Sequence, residues 1–244
     1  MLPRSSRARI FCLALAARVV SLPLALLLEV RCVPQDGWGE SAPEPELPAP
    51  VNAAWADNYE RRTLGANYLP TYPAYRLVNG ELCVAGSKNH PLWLKRPLPE
   101  NVRIEFDARS DTSEGDIKVE LFGDGRSFAR TSSYTDASGY LIIFGGWRNR
   151  FHVLARQNEH APERLEQRLT LGAENPAFVP LRAGRSYHIR LERRGGRTLR
   201  VWLDGALVFT LVDRNPLTGK GHQHFAFNNW EAPVCFDNLK IAPL

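Results

Sequence analysis

The feature that most constrains this chain is a succession of short runs in which apolar and polar residues alternate, each closed by glycine, proline, asparagine or aspartate. In NVRIEFDARS, Val102, Ile104, Phe106 and Ala108 fall on one side, with Arg103, Glu105 and Asp107 on the other. In DIKVELFGDG, Ile117, Val119 and Leu121 oppose Lys118 and Glu120. Such alternation suits a strand with one face on a core, because successive side chains leave opposite faces of the backbone. The same pattern predicts hairpins across Gly195-Gly196, across Asp204-Gly205 and around Gly145-Gly146-Trp147-Arg148-Asn149. Two further strands, His224 to Asn228 and Val234 to Ile241, flank the loop Asn228-Asn229-Trp230-Glu231. Beyond the leader no long segment carries an apolar helical stripe, and ENPAFVPLRAG is too rich in proline for a helix. The expectation is an all-β fold, a two-sheet antiparallel jelly-roll sandwich of about a dozen strands, without propeller or solenoid repeats.

A chain of 244 residues has room for one large β domain. Residues 1–32 begin with Arg4, Arg7 and Arg9 and continue in a largely apolar run from Ile10 to Leu28, interrupted by Arg18 and Pro23. This is the layout of a secretory signal peptide. A spanning helix fits less well, since it needs about 20 predominantly apolar residues and a charge sits in mid-run. Cys32 follows the apolar run as in a lipoprotein, yet Glu29-Val30-Arg31 departs from the small-residue pattern that lipid attachment uses, so cleavage and a lipid-modified Cys32 both stay open. Any membrane tether would run through this leader. Residues 33–54, rich in proline and acidic side chains, read as a disordered tether. The sandwich is expected over 55–244, opening on an irregular wrapping segment. The leader holds most of the formal charge of +5, and the nearly neutral remainder gives no electrostatic case for nucleic acid. The expected location is extracytoplasmic, secreted or in the cell envelope. Cys83 and Cys235 lie in strands near the two ends of the domain; the preferred reading is two buried free thiols, the alternative a disulfide closing a very long loop.

Four segments in order, NGELCV, VRIEFDAR, YHIRLERRGGRTLRVWLDGALVF and FAFNNWEAPVCFDNLKI, resemble the concanavalin A-like lectin/glucanase superfamily. The VWLDG hairpin is similar to that of laminin G-like modules, and the terminal FDNLKI strand to that of 3-keto-disaccharide hydrolase-like domains. The resemblance covers 55–244 and implies a sandwich with a saccharide partner. It implies no single activity, because lectins, glycosidases, lyases and adhesion modules share the superfamily. The paired-acid signature of its glucanases is incomplete here: Glu105-Phe106-Asp107 supplies two acids, but Arg109 and Ser110 stand where a third belongs. The resemblance also implies a structural calcium ion at Asp237, with backbone carbonyls and Asp57 as further ligands; a turn capped by Asp237 with Asn238 is the alternative.

A sugar presents flat C–H faces ringed by hydroxyls, so a site for it wants an aromatic platform with a polar rim. Trp147 and Trp230 are the expected platforms, with Asn149, Arg156, Asn228, Asn229 and Glu231 as the rim. If the protein is instead an enzyme, a glycoside hydrolase or lyase, the candidate acids and bases are Glu105, Glu120, Glu159 and His160. Glu105 and Asp107 would line a cleft floor beside Lys118 and Glu120 if those strands are neighbours. His222, His224 and His160 lack the converging partners that zinc requires. Three readings follow: a carbohydrate-binding module, a sugar-active enzyme, or an adhesive sandwich without a small ligand. No cofactor is required by any of them.

Overall fold

The computed structural model describes residues 48–244. The leader and most of the tether expected over 33–54 lie outside the described residues. Val51, within that expected tether, is buried, and its N–H donates to the Pro97 carbonyl at 2.9 Å. No helix among the described residues is long and apolar enough to cross a membrane.

Fifteen strands follow in order. The wrapping segment resolves into β1 (Trp55–Asp57), β2 (Tyr68–Pro70) and β3 (Arg76–Val78), before β4 (Glu81–Val84) and β5 (Leu92–Leu94). The long central strands are β6 (Val102–Ser110), β7 (Ile117–Gly123), β8 (Tyr140–Gly145) and β9 (Phe151–Arg156), then the short β10 (Leu165–Arg168). Two hairpins join β11 (Tyr187–Arg194), β12 (Thr198–Leu203) and β13 (Ala206–Val212), and β14 (His224–Asn228) and β15 (Val234–Pro243) close the chain. The proline-rich stretch forms only a 3-10 turn at Pro176–Phe178.

The strands form two antiparallel sheets. The first runs β13-β12-β11-β6-β15-β4-β3, with β1 also paired to β15; the second runs β10-β9-β8-β7-β14-β5-β2. Alternation is the cause of the layering. Val102, Ile104, Phe106 and Ala108 of β6 are buried while their sequence neighbours are half-exposed. They meet Phe225 and Phe227 of β14 across the sandwich, with Phe106 edge-on to Phe227 at 5.4 Å.

Two expectations are corrected here. Strands β6 and β7 are not neighbours: β6 pairs with β11 and β15, β7 with β8 and β14. Each strand brings apolar side chains to the same core from opposite sides, so the chain crosses between sheets through 111–116 instead of turning back in a hairpin. Glu105 and Asp107 therefore belong to a different sheet from Lys118 and Glu120. The second correction is Cys83 and Cys235, which are joined as a disulfide. They face each other in the β4–β15 register with Cα atoms 4.1 Å apart, the close approach of a cross-strand pair.

Every residue of β7 and β8 is buried on both faces. The inner face meets the core. On the outer face Leu141, Ile143, Val153 and Ala155 pack with Ala129, Tyr134 and Ala137 of the β7–β8 connection in a second, smaller cluster, and Trp147 rests against it. The connection folds back over the sheet and converts what the alternation marks as a solvated polar face into a covered one.

Candidate functional site

On this outer face lies a cavity of about 830 Å³ whose lining includes Asp116, Lys118, Trp147, Glu159, His160 and Trp230. Asn89, Arg148 and Glu231 also border it. Trp147 and Trp230 come from different connections, β8–β9 and β14–β15, and both indoles are half-exposed.

The backbone that carries Trp147 is unusual. Gly145, Trp147, Arg148 and Asn149 all have positive φ, at 67°, 52°, 59° and 60°, so the chain makes a left-handed turn that non-glycine residues resist. Asn149 holds it. Its amide donates to the carbonyls of Ser113 (3.0 Å) and Leu181 (2.7 Å), and its Oδ1 accepts the Leu181 N–H at 2.9 Å. Gly115 lies so close to Gly145 that a Cβ there would stand 2.4 Å from the Gly145 carbonyl oxygen, which itself accepts the Asp116 N–H at 3.0 Å. The Trp147 ring is then fixed edge-on by His160, with centroids 5.6 Å apart, and by the Arg164 guanidinium 4.5 Å from its centroid.

Trp230 is fixed differently. Its N–H donates to Asp116 Oδ2 at 2.6 Å, its carbonyl accepts from Lys88, and the Lys88 ammonium lies 5.4 Å from its ring. Lys88 also pairs with Glu231 at 3.2 Å, with both side chains well exposed, so that contact contributes little.

The base of the cavity is charged. Lys118 Nζ donates to Glu159 Oε2 at 2.9 Å and to Asn89 Oδ1 at 2.6 Å, and Glu159 Oε1 accepts the Tyr134 N–H at 2.8 Å. Burial alone would raise Glu159, but Lys118 and the Tyr134 N–H outweigh it and hold the carboxyl below its usual range. Asp116 moves the other way: burial and the nearby Glu159 raise it against the opposing pull of Lys118 and the Trp230 N–H. His160 Nε2 lies 3.5 Å from Glu159 Oε1. Asn89, 1 % exposed, is thus held at the cavity wall by Lys118.

Of the residues expected from sequence, Trp147, Trp230, Glu231, Glu159 and His160 share this cavity. The others do not. Asn149 spends its amide on the turn. Asn229 is fully buried, accepting from the Ser87 N–H and hydroxyl and donating to Ala232 O, so it is a loop staple and not a rim group. Asn228 is equally buried: its Oδ1 accepts the Asn229 N–H, and its Nδ2 has no partner among the described residues. Arg156 binds Asp213 (3.1 Å) and the Asn215 carbonyl (3.1 Å), away from Glu159.

Glu105 lies on the other sheet, 3.6 Å from His188. Glu120 is sealed under the covering connection, accepting from Tyr134 OH (2.7 Å), Ser138 Oγ (2.9 Å) and Gly139 N (2.7 Å). Burial pushes its carboxyl up to about 7. Of the residues implied for calcium, Asp57 is engaged by both terminal guanidinium nitrogens of Arg61, by Tyr68 OH and by the Tyr59 N–H. Asp237 faces Asp107 in the strand register and takes the Asn238 N–H at 2.6 Å. Asp57 as arranged does not fit the cage proposed with Asp237.

Sequence reasoning passed over Asn89, and set Asp116 aside because Glu114-Gly115-Asp116 leads to Lys118 and Val119 where a further acid belongs. Asp116 precedes the alternating stretch IKVEL, has a positive φ of 67° and accepts the Trp230 N–H.

No protein-family model matches the chain, and no curated protein matches it in sequence. Similar solved structures exist. A carbohydrate-binding module from Bacillus subtilis superposes with a TM-score of 0.52 at 14% identity, covering 71% of this chain and 94% of that one. An alginate lyase gives 0.52 at 14% identity over 81% of this chain and 98% of its own. The carbohydrate recognition domain of Emp47p gives 0.54 at 14% identity over 78% and 95%. The described residues thus form a two-sheet antiparallel sandwich of the concanavalin A-like fold, the fold of these similar solved structures.

Proposed function

We propose that this protein is an extracytoplasmic carbohydrate-binding module that seats a saccharide between the indoles of Trp147 and Trp230. The observation that carries the reading is the convergence of two rigidly held, half-exposed tryptophans from separate connections on one cavity of about 830 Å³ with a polar base. That volume lies within the usual range for small-ligand sites. The indoles would cover the C–H faces of a sugar, while Lys118, Asn89 and Asp116 exchange hydrogen bonds with its hydroxyls. Acidic and basic groups nearly balance around the cavity, which favours a neutral sugar over a polyanion. The disulfide supports an oxidising compartment. The similarity to carbohydrate-binding and lectin domains supports the class of ligand without naming the glycan.

The enzyme reading has one specific observation in its favour. Asp116 and Glu159 share the cavity with their carboxyls shifted in opposite directions, the disposition of an acid and a base. A glycan array and polysaccharide depletion with the full chain, repeated with Trp147→Ala and Trp230→Ala, test the first reading. Retention unchanged in both variants removes it. Release of reducing or unsaturated sugar, lost in Asp116→Asn, replaces it with the second.

A further inference from the structure

Tyr72, His90 and Phe128 come from three different connections, yet their rings meet on the surface. The His90 ring stacks on Phe128, with centroids 4.8 Å apart and planes 19° from parallel, and Tyr72 lies 5.4 Å from the other partner of the group, His90. Tyr72 is 44% exposed and Phe128 43%. Large aromatic side chains left in water as a contiguous group mark binding surfaces more often than singly exposed ones do.

His90, the ring that the other two meet, is held in place. His90 Nδ1 lies 2.9 Å from the Ser87 carbonyl, and the His90 carbonyl accepts Tyr75 OH at 2.9 Å. Lys88 and Asn89 just before it both have positive φ, at 51° and 63°, so the chain there is held in a conformation that costs energy unless its surroundings fix it. Rings that are exposed and yet immobilised lose little entropy when a ligand covers them.

The group is carried by two of the connections that line the cavity. Lys88 stands over Trp230, Asn89 lines the cavity, and His90 is the next residue. On the other side the Ala129 N–H, next to Phe128, donates to the Asn89 carbonyl at 2.9 Å, and the same connection reaches the cavity wall at Ser132 and Ser133. Asn89, whose Oδ1 accepts from Lys118 at 2.6 Å, links the two aromatic stations along the chain, between Lys88 over Trp230 and His90.

We infer that the ligand is an oligosaccharide chain and not a single terminal sugar, and that Tyr72, His90 and Phe128 form a second stacking subsite over which the chain leaves the cavity. The inference rests on the glycan-binding reading above. One added aromatic subsite corresponds to about a tenfold gain in affinity.

Calorimetry with the full chain on ladders of neutral gluco- and manno-oligosaccharides, from disaccharide to hexasaccharide, tests it. The expected result is an affinity that rises about tenfold with length, a Tyr72→Ala/Phe128→Ala variant that binds short members normally but loses the gain, and a Trp147→Ala variant weakened at every length. Affinity independent of length, or a gain that survives in the double variant, overturns the second subsite while leaving the cavity reading intact. Absence of binding by every ladder overturns both. A dimer of the wild type in sedimentation that the double variant disperses identifies a second copy of the chain as the occupant and overturns the inference. Unchanged thermal unfolding of the double variant confirms that its fold is intact.

Discussion

Lys118 Nζ and Glu159 Oε2 lie 2.9 Å apart at the base of the cavity, with both side chains less than a tenth exposed. Removing one member leaves a buried charge without its partner, at a cost of roughly 3–5 kcal/mol, whereas removing both costs much less. Lys118→Met is therefore expected to lower stability by that order, and Lys118→Met/Glu159→Gln to recover most of it. Glycan binding should stay lost in both, because the Lys118 donor is gone. Urea unfolding of the four members of the cycle decides the matter; additive losses would mean that the two groups do not act as a pair.

Glu120 gives the fold a pH dependence of definite sign. Its carboxyl rises from 4.5 to about 7 on folding, so the folded state holds a proton that the unfolded chain releases earlier. Its contribution is complete below the unfolded value and is lost as pH rises toward about 7, a change of about 3 kcal/mol at most. Glu120→Gln, which keeps an acceptor for Gly139 and offers a donor to Tyr134, should be the more stable protein at pH 8 and lose its advantage toward pH 4. A stability difference between variant and wild type that stays constant across this window would show that Glu120 does not titrate there.

The Cys83–Cys235 bond joins residues 152 positions apart, and closing a loop of that length restricts the unfolded chain by about 5 kcal/mol in the chain-entropy view. Cys83→Ala/Cys235→Ala is expected to unfold at a clearly lower urea concentration, with a steeper dependence on urea because its unfolded state is less compact. Reduction of the wild type should reproduce the shift. An unfolding midpoint indifferent to reductant would count against it.

The sandwich was legible because alternation is a property of neighbouring residues, and Val102 to Ala108 carry it whatever they later meet. Partner choice is not local. Nothing in EFDAR or DIKVEL says that the link between them crosses from one sheet to the other, nor that the β7–β8 connection will bury Glu120. The site divides along the same line. A tryptophan in a short polar connection between strands has few ways to be fully covered, so Trp147 and Trp230 could be read as platforms. An asparagine looks the same whether it meets a ligand or staples backbone, and Asn149 and Asn229 do the second through Leu181 and Ser87, each distant in sequence. Arg156 likewise found Asp213, 57 residues on, instead of the nearby Glu159. Tyr72, His90 and Phe128 carried no signal, since each stands alone in its own connection.

The left-handed turn beneath Trp147 separates the requirements of folding from those of binding. Arg148 is exposed and holds φ 59° and ψ 50°, a conformation that costs an L-residue roughly 1–2 kcal/mol and glycine far less. Arg148→Gly should therefore leave stability unchanged or raise it by up to about 1 kcal/mol, the entropy of the added glycine offsetting part of the relief. The same freedom lets the turn sample other conformations and move Trp147 away from His160 and Arg164. Glycan affinity is then expected to fall severalfold while the unfolding midpoint holds or rises. Arg148→Asn, which tolerates the left-handed region better than arginine without glycine's freedom, should keep more of the affinity than Arg148→Gly. If the glycine variant binds as tightly as the wild type, the strain in this turn is incidental and Trp147 is held by its ring contacts alone.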